Sequence, residues 1–61
     1  MTPEVIKMEI EECRGILRGI HSLRADKLLS LESYAQWRAA HITPWEGYVE
    51  CFTDMLTRRS A

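Results

Sequence analysis

The chain has 61 residues, a net charge of −1, and 46% hydrophobic and 28% charged residues. A length of this order holds one small domain that buries only about 60% of the surface its unfolded form exposes, and the composition is globular rather than disordered. The slightly acidic balance argues against sequence-independent nucleic-acid binding, which draws on a basic excess, and no apolar run approaches the length of a transmembrane helix.

The opening segment, MTPEVIKMEIEE, is acidic and periodic, unlike a signal peptide. A cytoplasmic location is therefore expected, with Cys13 and Cys51 as reduced thiols. Thr2 before Pro3 places an N-cap ahead of a proline at the first helical position. The first helix is expected over about 3–24. Its apolar positions Ile6, Ile10, Cys13, Leu17 and Ile20 alternate spacings of four and three, a heptad seam that Ile16 and Leu23 widen on one side. Glu4, Glu9, Glu11 and Glu12 crowd its first half, and Arg14, Arg18 and Arg24 its second, an order that complements the helix dipole.

Inside this helix Arg-Gly-Ile occurs twice, at Arg14-Gly15-Ile16 and Arg18-Gly19-Ile20. A glycine in a helix interior costs roughly 1 kcal/mol against alanine, so a pair one turn apart needs a reason. On the heptad grid Gly15 and Gly19 fall away from the seam. They are tolerated surface glycines, or they bend the helix, or they let a partner backbone approach closely. The sequence favours the last two readings.

The segment ADKLLSLESYAQWRAAHI lacks glycine and proline, and Asp26 and Ser30 compete as N-caps. A second helix is expected over about 28–40, starting near Lys27 or Leu31, unless it continues the first as one bent rod. Leu28, Leu31, Ala35, Ala39 and Ile42 form one face, with Tyr34, Trp37 and His41 beside it. Thr43-Pro44-Trp45-Glu46 carries the signature of a capping box. It predicts a third helix over about 44–58, with Trp45, Tyr48, Val49, Phe52, Met55 and Leu56 at helical spacing and Glu46, Glu50 and Asp54 in an acidic line.

The chemistry-bearing residues form no recognisable constellation. Cys13, His21, His41 and Cys51 are the inventory of a zinc site, but zinc fingers take their cysteines in close pairs. Cys13 and Cys51 read instead as small hydrophobes on their helices. Ser22 beside His21 is adjacency without a third group to orient the base. No catalytic residue, metal or cofactor is expected, and the chain is not expected to be an enzyme.

The fold expected is all-α: a small two- or three-helix hairpin or bundle with a long N-terminal amphipathic helix. It is expected to form a homodimer, with first helices pairing antiparallel through Ile6, Ile10, Cys13, Leu17 and Ile20. The expected function is that of a non-enzymatic protein-binding module, by analogy of size with small bacterial or phage regulators and inhibitors that bind a larger protein. Arg14, Gly15, Arg18, Gly19, Tyr34, Trp37 and Trp45 are the candidate partner-binding residues, because arginine and the large aromatics dominate interface hot spots. The alternative is a small helix-turn-helix-like DNA-binding regulator with the third helix as reader, although Glu46, Glu50 and Asp54 would then face phosphates. No membrane partner is expected.

Overall fold

The structure, a computed structural model, describes residues 2–60. They form an all-α chain with the elements α1 (Pro3–Ser22), α2 (Ala25–Leu28), α3 (Leu31–His41) and α4 (Thr43–Ser60). Thr2 is the N-cap of α1, and its hydroxyl accepts from the Val5 amide at 3.3 Å. The helix passes through Gly15 and Gly19 without interruption, and neither takes a positive φ. It closes in a turn in which Leu23 N–H donates to the Ile20 carbonyl and Arg24 N–H to that of His21. Arg24 then adopts the left-handed conformation, φ 54° and ψ 44°. That region favours glycine, and for a residue with a Cβ it costs on the order of 1 kcal/mol.

The second helix expected over 28–40 is divided. Its first part is the single turn α2, which Asp26 enters rather than caps. Leu29 and Ser30 are extended, and the Ser30 hydroxyl accepts from the Ser33 amide at 3.2 Å to start α3. Of the two competing caps, Ser30 therefore wins. The capping box expected at Thr43 is not used. The Ile42 carbonyl accepts from the amides of both Trp45 and Glu46, so α4 begins at Thr43, directly after the one-residue joint at Ile42. The Glu46 carboxylate is instead paired with Arg38 of α3 at 3.2 Å.

The main packing is α1 against α4 as an antiparallel hairpin. Lys7, Ile10 and Arg14 lie beside Thr53 and Leu56, whereas Cys13 lies beside Trp45, Tyr48 and Phe52. Ile6, Ile10 and Cys13 of the heptad seam are buried, with Ile6 at 0% exposure. Ile42, at the joint between α3 and α4, is exposed by only 1%. The seam expected to join two copies is thus occupied within one chain, by its own α4. A heptad row specifies that a helix packs there, not whose helix it is.

The molecule is long. Its Cα extents are 43 × 17 × 13 Å and its radius of gyration is 14.1 Å, against about 10.5 Å for a compact domain of this length. The excess arises because α3 buries no residue completely and meets chiefly the start of α4.

A candidate protein-interaction surface

Two surfaces carry apolar side chains that the chain itself leaves uncovered. The first lies at the end where α1 passes into α2 and α3. Leu23, Ala25, Leu28, Leu29 and Trp37 line one open groove there. Leu23 is 63% exposed, Leu28 79%, and Leu31, the first residue of α3, 88%. Single exposed leucines are ordinary on a soluble protein, but several around one groove are not. The face expected to bury Leu28, Leu31, Ala35, Ala39 and Ile42 is therefore mostly open, and only Ile42 is buried. Along α3 the rings of Tyr34 and Trp37 stack at 6.1 Å between centroids, and those of Trp37 and His41 lie 5.3 Å apart. The aromatic strip is thus assembled, with Tyr34 and Trp37 half-buried. Arg24 frames this end. Its guanidinium binds Asp26 at 3.2 and 3.3 Å. The hydrogen bond from Arg24 holds the Asp26 carboxyl below its usual range and raises Arg24 in turn.

The second surface is one flank of the α1–α4 hairpin. Glu9, Cys13, Trp45, Tyr48 and Phe52 line a groove along it. Trp45 and Tyr48 meet edge to face at 5.5 Å. Val5, four residues before Glu9, and Ile16, seven after it, lie in the same helical row, as Met55 does seven after Tyr48. Val5, Ile16 and Tyr48 are exposed. The opposite flank is lined by Lys7, Glu11 and Arg14 around Ile10, Thr53 and Leu56, and is polar at its rim.

The seven candidate partner-binding residues fall in three places. Tyr34 and Trp37 border the leucine groove, and Trp45 belongs to the hairpin flank. Arg14, Gly15, Arg18 and Gly19 lie away from both. Arg14 pairs with Glu11 at 3.7 Å, and the Arg18 guanidinium lies 3.7 Å from where a Cβ on Gly15 would sit. Nothing lies within 4 Å of the same position on Gly19. Sequence reasoning passed over Leu28 and Leu31 as surface residues because their spacing reads as a buried face, and gave Leu29 no role. It passed over Tyr48 because the residue belongs to the apolar row of the third helix, whereas its ring is exposed.

Cys13 is buried and Cys51 exposed, both as free thiols. Among the described residues no three histidine, cysteine or acidic side chains gather as a metal site, and no helix is long and apolar enough to cross a membrane. Compared with protein-family models, with curated proteins and with solved structures, the chain matches none of them.

Proposed function

We propose that this chain is a non-enzymatic protein-binding module, a small regulator that acts by occupying a larger protein. The observation that carries this reading is the leucine groove between α1, α2 and α3, with Trp37 as its aromatic wall. Exposed leucines around an aromatic anchor supply apolar area whose burial is worth roughly 25 cal/mol per Å², and a tryptophan is the commonest kind of interface anchor. The grooves are shallow and open, the form of a docking surface rather than of a substrate site, which encloses its ligand. Nucleic acid is the weaker candidate, because α4 presents Glu46, Glu50 and Asp54 and would meet phosphate with carboxylates. In this reading the module works as a homodimer, since a hairpin this elongated leaves its long apolar flank without cover.

The test is capture from source-cell lysate with a tagged copy, with and without nuclease, comparing the native chain with Leu31→Asp. Leu31 is 88% exposed at the first position of α3, where an aspartate suits the helix dipole, so the substitution spares the fold. The expected result is a stoichiometric protein that survives nuclease and is lost with Leu31→Asp. Partners that vanish on nuclease treatment would overturn the reading in favour of nucleic acid.

A further inference from the structure

We infer that the Arg24–Asp26 ion pair is a latch on the leucine groove. It holds the chain bent between α1 and α2; without it α1 runs on through α2 as one helix, and the groove comes apart. The inference rests on the reading of that groove as the docking surface and says what controls its presence.

Three observations lead to it. The first is the geometry of the pair. Arg24 Nε and Nη2 donate to the two carboxylate oxygens of Asp26 at 3.2 and 3.3 Å. Residues two apart on an α-helix stand about 200° apart around its axis and do not face each other. The pair therefore forms only while the backbone leaves the helix at Arg24, and it stabilises the bent form alone. The second is how little else holds the bend. Arg24 is the one non-glycine residue of positive φ among the described residues, and that conformation works against the bend. The single turn α2 has no side-chain cap, and of its four residues only Ala25 is buried. Residues 20–28 contain neither glycine nor proline, so nothing in the segment forbids a continuous helix. A helix over 3–28 would be about 39 Å long, within the 43 Å length of the molecule.

The third is the make-up of the groove. Leu23 lines it from one side of the Arg24 joint, and Ala25 and Leu28 line it from the other. On a continuous helix Leu23 and Ala25, two positions apart, would stand on nearly opposite sides and could not line one groove. The groove thus exists only in the bent form. A partner seated in it draws the equilibrium toward the bend, and loss of the latch draws it away.

The test is amide exchange by NMR on the purified full chain, native and as Arg24→Ala, Asp26→Ala and Arg24→Gly. The reporters are the amides of residues 25 and 26, which open α2 and have no intrahelical acceptor in the bent form. Fast exchange is expected in the native chain. It is expected in Arg24→Gly too, which loses the pair but takes the left-handed conformation at no steric cost. In Arg24→Ala and Asp26→Ala the pair is gone and the backbone cost stays, so both amides are expected to gain the slow exchange of a helix interior. Should either variant fail to fold, high salt on the native chain screens the same exposed pair and is expected to slow the same amides. Amides that exchange as fast in Arg24→Ala and Asp26→Ala as in the native chain would overturn the inference. So would slow exchange at both in the native chain. The capture experiment reads the consequence: a protein taken by the native chain and by Arg24→Gly, and lost with Arg24→Ala. Capture of no protein by any form would sink the docking reading and leave the exchange result standing.

Discussion

Replacing Gly19 with alanine should make the protein more stable. Gly19 lies inside α1, and beyond its chain neighbours and the adjoining helix backbone no atom of the described residues comes within 4 Å of the position its Cβ would take. The new methyl group therefore meets no neighbour, and the helix propensity difference of roughly 1 kcal/mol is gained without offset. Gly15→Ala should add a similar amount, since its Cβ would meet only the flexible end of Arg18 at 3.7 Å. For a domain of this size each kcal/mol raises the melting temperature by about 4–8 °C. Thermal and urea unfolding followed by far-ultraviolet circular dichroism, at one fixed protein concentration because association is linked to folding, measures the gain. A loss of stability in Gly19→Ala would refute the reasoning. It would mean that another backbone lies against this side of α1, and that the glycine face, not the Val5–Ile16 flank, meets the second copy.

Three further changes follow from the same structure. Ile42→Ala removes a side chain exposed by only 1% at the joint of α3 and α4; it should cost about 2–4 kcal/mol, read as a lower urea midpoint. Ser30→Ala removes the side-chain cap of α3, a helix with no fully buried residue to hold it; a cost of about 1 kcal/mol should appear as faster amide exchange in Leu31–Tyr34, with α1 unaffected. Arg24→Gly relieves the left-handed backbone at φ 54° and should raise stability by about 0.5–1 kcal/mol. It should also return the Asp26 carboxyl upward to its ordinary range in an NMR titration, because the hydrogen bond from Arg24 is what lowers it. In the native chain that pair stabilises the fold above the ordinary carboxylate value, and the contribution is lost as pH falls through the lowered one.

The helical character of the chain and the start of α1 were plain in the sequence, because Thr2-Pro3 and the row from Ile6 to Ile20 are local patterns. The partner of that row was not. Whether Ile10 and Cys13 meet a second chain or α4 depends on how the chain turns at Arg24 and Ile42; Thr43-Pro44 marks a break near Ile42 but not its direction, and the turn at Arg24 has no sequence signal. Arg24 sits where glycine is usual. At Ile42 a single carbonyl serves two amides and displaces a capping box that Thr43 and Glu46 spell correctly. Glu46 then goes to Arg38, a contact between helices that spacing within one helix cannot reveal. The leucine groove was hidden for a related reason. Leu28 and Leu31 have the spacing of a buried face, and only the outward course of α3 leaves them open. The aromatic strip of Tyr34, Trp37 and His41 was legible because it lies along one helix.

The most direct test of the account is an isotope-filtered NMR experiment on a mixture of labelled and unlabelled chains, which reports only contacts between copies. Pairing through the hairpin flank gives contacts from the Val5 and Ile16 methyl groups and the Tyr48 ring, and none from Lys7 or Arg14 on the opposite flank. Contacts between copies from Ile6, Ile10 and Leu17 instead would contradict it, because the heptad seam would then join two chains and α4 of each would lie elsewhere.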